Sequence, residues 1–309
     1  MPDFERKVTV GVDAETAFNF LAAFTFGTAV ASTIGKGMID ITVVTSTVIF
    51  GGLMGAIVWD LITWYVGLPT SSSHALIGAY AGAAVAKAGT AAIVTAGWTK
   101  TLIFIVLAPL IGFALGFLFM VLIMWIMRPF APSRVDRYFR KLQLLSAAMY
   151  SLGHGANDAQ KTMGISAGAL FAAGYISEFR IPFWVEMAAY SAIALGTLSG
   201  GWRIIHTMGS KITKPQPVGG FAAETSAATA LMIATVTGVP VSTTHAITGA
   251  IVRVRLVPDE VVAAPARQLG MWHGDAAAAD RADQWRCPPG RQPLAHLRPV
   301  PRPRCRDGA

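Results

Sequence analysis

Apolar runs broken by short polar clusters continue along the chain as far as residue 252. Runs at roughly 17–34, 41–66, 101–127, 182–202 and 221–237 each predict a membrane-spanning helix. About 20 apolar residues, rising ~1.5 Å each, cross a hydrocarbon layer of about 30 Å. Two stretches depart from this pattern. The run from His74 to about Ala88 is only about 15 residues long and predicts a half-helix or a tilted one. The run from about Leu142 to Gly174 is interrupted at its centre by His154, Asn157, Asp158, Gln160 and Lys161. Gly153 and Gly155 flank His154 and predict an unwound turn that exposes carbonyls.

One segment occurs twice. Gly67-Leu-Pro-Thr-Ser-Ser-Ser-His-Ala-Leu-Ile-Gly-Ala79 returns 171 positions later as Gly238-Val-Pro-Val-Ser-Thr-Thr-His-Ala-Ile-Thr-Gly-Ala250; seven of the 13 aligned positions are identical and four more are conservative exchanges. This is an internal repeat. In each copy a Gly-x-Pro step closes one apolar run and three hydroxyl residues precede the next: Ser71, Ser72 and Ser73, then Ser242, Thr243 and Thr244. Proline has no N–H with which to continue a helix, and Ser or Thr caps the following one, so each copy predicts a helix break. The first N–H groups of a helix lack partners and the macrodipole is positive there, which suits an anion; hydroxyls add neutral donors. Capping alone accounts for a single cluster. Two matching clusters in an apolar chain predict a site, because repeat-built transporters hold substrate between two such helix starts.

Composition narrows the class. Of 309 residues, 53% are hydrophobic and 14% charged, and mean hydropathy is +0.52. Soluble domains carry about 25% charged residues. The expected fold is therefore an all-α polytopic membrane protein, an inverted-repeat transporter with broken helices and half-helix hairpins. The net charge of +8 is unevenly placed, with 15 basic against 11 acidic residues up to position 252 and 10 against 6 after it. Arg128, Arg134, Arg137, Arg140 and Lys141 form the strongest basic cluster between spans and predict a cytoplasmic loop at 128–141. No basic groove interleaved with aromatics points to nucleic acid. Cys287 and Cys305 both lie near the C-terminus, so the apolar part holds no disulfide or cysteine metal site. The first seven residues lack the apolar core of a signal peptide, and the first span is expected to direct insertion into the cytoplasmic membrane, as in a multi-pass protein.

Acidic residues in apolar runs add candidates. Asp60 lies near the end of its run among Trp59, Trp64 and Tyr65; it is either an interfacial residue in an aromatic belt or part of the site. Glu224 falls in the equivalent run of the second repeat, seven positions earlier by the repeat offset. Asn157 and Asp158 offer hard oxygen ligands for a small cation, or a carboxylate that carries a proton, and Lys161 either neutralises Asp158 or attracts an anion. Enzymatic readings find little support. His154 and Asp158 lack the further ligands of a zinc site, and no metal cluster is visible. No cofactor is expected.

The motifs now assembled resemble the inorganic phosphate transporter (PiT) family of phosphate/cation symporters. They are Gly-His-Gly-Ala-Asn-Asp-Ala-Gln-Lys at 153–161, Gly-Leu-Pro-Thr-Ser-Ser-Ser-His at 67–74, Gly-Val-Pro-Val-Ser-Thr-Thr-His at 238–245, Trp-Asp-Leu-Ile-Thr-Trp-Tyr at 59–65 and Glu-Thr-Ser-Ala-Ala at 224–228. The resemblance covers about residues 15–252. It implies low-affinity-type phosphate transport in symport with H+ or Na+, with phosphate entering free or as a metal-phosphate complex. It also implies phosphate binding around Ser71, Ser72, Ser73, Ser242, Thr243 and Thr244 and a coupling cation at Asn157 and Asp158. Gln160, Lys161, Asp60, Glu224, His74 and His245 are secondary candidates. The lipid bilayer is the surrounding partner, and the small-residue faces are compatible with a homodimer.

Two departures from the family pattern shape the expected organisation. The helix break that should precede Phe18-Asn-Phe20 is absent, which predicts missing first-half ligands. After Val252 the expected further span is replaced by a stretch holding 8 of the 17 prolines, which reads as a frameshifted or chimeric C-terminus or as a disordered basic tail. The expected divisions are a polar N-terminus at 1–14, a partial first transmembrane repeat at 15–127, the basic loop at 128–141, a second repeat at 142–252 and an atypical basic, Pro-rich tail at 253–309. Rival readings are a sulfate or other oxyanion permease of the same fold and an inactive transporter fragment.

Overall fold

A computed structural model of the chain describes residues 2–199, Ile204, Thr207 and 216–255. Apart from an isolated bridge between Ile39 and Ile93, the described residues form helices and their connections. The helices are α1 (Pro2–Leu21), α2 (Ala29–Gly37), α3 (Ser46–Val66), α4 (Ser72–Ala88), α5 (Thr95–Met127), α6 (Pro132–Ala172), α7 (Phe183–Leu198), α8 (Pro217–Val236) and α9 (Thr243–Arg255). The tail expected from 253 onward continues α9 through Arg255, and residues 256–309 lie outside the described residues. So do residues 200–203, 205–206 and 208–215.

The sequence repeat reappears as geometry. α3 and α8 begin at Ser46 and Pro217, and α4 and α9 at Ser72 and Thr243; both pairs stand 171 positions apart, the offset of the repeat. Each first helix ends on a glycine in the left-handed region, Gly67 at φ 74° and Gly238 at φ 67°. There the next N–H turns back to the last turn, Leu68 to Thr63 and Val239 to Ala234. Glycine carries no Cβ to oppose that conformation, and the bond it permits satisfies an orphan carbonyl. Pro69 and Pro240 then block continuation, and Ser71 and Ser242 cap the next helix through the amides of His74 and His245, at 3.3 and 3.2 Å. The predicted helix breaks are thus present in both copies.

Other expectations are corrected. The first apolar run is not one straight span: it bends by 78° between residues 12–24 and 29–37. The backbone of residues 2–14 is helical and continuous with it, and residues 132–141 of the basic segment form the first turns of α6. The largest difference is in α6, where the unwound turn expected at Gly153 and Gly155 is replaced by an unbroken helix of 41 residues. An intact i→i−4 ladder satisfies every backbone group where water is scarce. The glycines serve close approach instead. A Cβ on Gly155 would stand 2.6 Å from the carbonyl oxygen of Asn19 and 2.8 Å from its Cα, so α1 lies against α6 backbone to backbone.

α6 is the centre of the fold and packs against α1, α2, α7 and α8, while α4 lies on α3 and α9 on α5. The core is built from small and medium side chains such as Ala31, Ala156, Ala159 and Met163, whereas large apolar side chains point outward. On α3 these include Phe50, Ile57, Leu61 and Ile62, and on α5 Ile103, Val106, Leu110, Leu118 and Trp125, the last 74% exposed. Water would not tolerate so continuous an apolar exterior; lipid does. Among the described residues, α3 and α5 are long and apolar enough to cross a bilayer, and the bent pair counts as a third crossing if taken as one span.

Candidate functional site

The polar motif of α6 meets both helix breaks. Asp158 is its hub. One carboxylate oxygen accepts from Lys161 Nζ at 2.5 Å and faces Ser73 Oγ at 3.4 Å; the other accepts from Thr243 Oγ1 at 3.2 Å and lies 3.2 Å from His154 Nε2. One carboxylate therefore ties the start of α4 to the start of α9. Lys161, 1% exposed, also donates to Ser73 Oγ at 2.6 Å and to the carbonyl of Val241 at 2.7 Å.

The neighbouring motif residues brace the breaks. Gln160 is fully buried, and its side-chain oxygen accepts from the amides of Val30 and Ala31 at 2.9 and 3.3 Å, capping α2 where the first run bends. Asn157 is also fully buried; its NH2 group donates to Thr235 Oγ1 at 3.2 Å and Val239 O at 3.4 Å, gripping the end of α8 and the linker to α9. Its Oδ1 has no hydrogen-bond partner. The spacing of these residues along α6 follows from what they serve, since each faces a different broken element.

A cavity of about 850 Å³ adjoins this centre. Asp158, Lys161, His154, Ser72, Ser73 and Thr244 line it, together with Asp60, Thr70, Glu15 and Thr197. Asp60 therefore faces the site. The six candidate hydroxyl residues divide by role. Ser71 and Ser242 are spent as caps, Ser73 and Thr243 bond Asp158, and Ser72 and Thr244 face the cavity. The repeat is not symmetric here: Ser72 corresponds to Thr243 and Ser73 to Thr244, yet they exchange functions because a single helix, α6, supplies the charged partner. As at any helix start, the N–H groups of Ser72, Ser73, Thr243 and Thr244 have no intrahelical acceptor.

The remaining candidates sit apart. His74 and His245 lie against each other with their rings tilted by 60° and centroids 4.8 Å apart, and line a second cavity of about 570 Å³. Ser71, His74, Ala75 and Gly78 edge it, on the face of α4 opposite Ser72, Ser73 and Leu76, so α4 stands between the two cavities. Glu224 is not part of either; it accepts from Ser146 Oγ at 2.5 Å and from Gln143 Nε2 at 3.4 Å. Glu15 and Asn19 were not foreseen. Asn19 is fully buried, lies 3.3 Å from His154 Nδ1 and donates to Thr197 Oγ1 at 3.2 Å, while Glu15 Oε1 stands 4.0 Å from His154. Their i, i+4 spacing, which puts both on one helical face at the start of an apolar run, is the signal that would have found them.

Two half-helix starts, one from each repeat, converging on a buried charge pair beside a cavity lined in part by polar groups define a membrane transporter of the repeat-built kind. Comparison with known proteins names the group: the chain belongs to the phosphate transporter family, whose profile matches residues 9–132 and 127–273. It is 57% identical over 238 residues to the "Probable low-affinity inorganic phosphate transporter" of Rhizobium meliloti (strain 1021), covering 77% of this chain and 71% of that protein. A protein of the same description from Bacillus subtilis (strain 168) is 45% identical over 239 residues, covering 76% of this chain and 72% of its own length. Among solved structures, one described as "The sodium-dependent phosphate transporter" superposes with a TM-score of 0.70 at 22% identity, covering 81% of this chain and 82% of that one. At that identity the likeness concerns the fold.

Proposed function

We propose that this chain carries inorganic phosphate across the cytoplasmic membrane in symport with a cation. The observation that carries the reading is the convergence of the α4 and α9 starts on the cavity at Asp158 and Lys161. Phosphate would be held by the free amides at the two starts and by the hydroxyls of Ser72, Thr244 and Thr70, which can replace an oxyanion's hydration shell without fixing a second full charge beside it. The family and the names of the similar proteins support phosphate as the cargo and symport as the mode. The cation's task is electrostatic: loading it first lowers the cost of burying an anion, and that mutual dependence couples the two fluxes.

Asp60 and Glu15 bear on the choice between phosphate and sulfate. Carboxylates on the cavity wall accept a hydrogen bond from the P–OH of hydrogen phosphate, whereas fully ionised sulfate offers no proton and is repelled. The test is uptake of labelled phosphate into cells lacking their own phosphate transporters, with unlabelled sulfate as competitor. Uptake that sulfate inhibits weakly in the wild type and more strongly in Asp60→Asn agrees with the proposal. Equal competition by the two anions in the wild type would overturn the phosphate assignment.

A further inference from the structure

We propose that Lys161 is a tethered cation that fills the cation position between the two half-helix starts, so that phosphate uptake by this chain needs no sodium. The inference rests on the reading of the chain as a cation-coupled phosphate transporter and names which cation its centre can take. Lys161 Nζ lies among a carboxylate, a hydroxyl and a backbone carbonyl: Asp158 Oδ1 at 2.5 Å, Ser73 Oγ at 2.6 Å and Val241 O at 2.7 Å. These come from α6, from the start of α4 and from the linker before α9, converging on one point. Hard oxygen donors of these three kinds, including an unwound carbonyl beside a half-helix, are what a small metal cation takes in such transporters.

An ammonium has three hydrogens, and each has an acceptor here. With 1% of the residue exposed, the ammonium itself occupies the point where these three oxygens converge. A second positive charge at the same oxygens would meet the ammonium at contact distance in a water-poor setting. The stem of Lys161 runs back along α6 over one turn, which is why a residue three positions after Asp158 reaches its carboxylate. The titratable groups facing this centre are Asp158 and His154 on α6, and Asp60 and Glu15 across the cavity. The proton is then the cation left to couple transport.

The test separates the ion from the transport reading. Thermal unfolding of the purified full chain in detergent is compared in sodium and in choline at equal ionic strength, beside labelled-phosphate uptake into proteoliposomes under an inward proton gradient. The wild type is expected to unfold at the same temperature in both salts and to take up phosphate undiminished in choline. Lys161→Ala, which opens the position while keeping its oxygens, is expected to unfold several degrees higher in sodium than in choline. Adding Asp158→Asn to it should abolish that response. A wild type stabilised by sodium, or one whose uptake requires sodium, overturns the proposal even if the variant fails to fold, as does a folded Lys161→Ala blind to sodium. Absence of uptake in both salts with the stability pattern intact upholds the ion assignment and sinks the transport reading.

Discussion

Asp158 is bonded from four directions, and the consequences of losing it differ from those of losing a surface acid. Removing the carboxylate strands the Lys161 ammonium in the interior, and breaking one side of a buried pair costs about 3–5 kcal/mol. Asp158→Asn is therefore expected to abolish uptake and to lower the unfolding temperature in detergent at once, so the loss of transport alone would not locate the cause. The double substitution Asp158→Asn with Lys161→Met removes both charges and should recover most of the stability without recovering uptake. Recovery of both would mean that the pair serves packing only. Hydroxyl residues that look equivalent in sequence should also separate: Ser71→Ala loses a helix cap, costing about 1 kcal/mol, whereas Ser72→Ala leaves the helix intact and removes a group facing the cavity.

At the scale of elements, α6 can act as a clamp because it is unbroken while its neighbours are broken. Gln160 caps α2, Asn157 grips the end of α8, and Asp158 and Lys161 hold α4 and the approach to α9, all within two turns. The helix must approach α1 closely for Glu15 and Asn19 to reach His154, and Gly155 provides that approach. Gly155→Ala forces a methyl against the Asn19 backbone, and overpacking of this kind costs about 1–3 kcal/mol. Gly78→Ala, where an added Cβ meets nothing within 4 Å, is the control. The expected result is a lower unfolding temperature and slower uptake for Gly155→Ala and near wild-type values for Gly78→Ala. Equal behaviour would mean that the contact between α1 and α6 is not tight in the working protein.

For the molecule as a whole, α3 and α5 present apolar exteriors while Asp158 and Lys161 adjoin the cavity, so a substrate bound at that pair is expected to arrive through the cavity. The absence of cysteine before Cys287 makes this accessible to labelling. In a chain with both native cysteines replaced by serine, Ser72→Cys is expected to react with a water-soluble thiol reagent and to be protected by phosphate more than by sulfate. Labelling unaffected by phosphate would place the substrate elsewhere. Leu118→Lys on the exposed face of α5 is expected to reduce membrane insertion, because a lysine at the centre of a span costs about 2.5–3.5 kcal/mol. Unchanged insertion would mean that this face is not in lipid.

Local chemistry wrote the two helix breaks into the sequence: a Gly-x-Pro step and a hydroxyl cap act within a few residues, so the starts of α4 and α9 were legible without any tertiary contact. Hydropathy did the same for α3 and α5, since a lipid-facing helix must be apolar along its length. What surrounds Gly153 and Gly155 was decided by tertiary structure. Glycine permits both an unwound turn and close packing, and only the arrival of α1 at Asn19 selects the second. The division of labour among the six hydroxyl residues was equally hidden, because repeat symmetry predicts equal roles and a single Asp158 and Lys161 pair on one helix breaks that symmetry. Glu15 and Glu224 show the same limit from opposite sides. Each is an acid near an apolar run, and whether it faces the cavity or the Ser146 hydroxyl depends on which helix packs beside it.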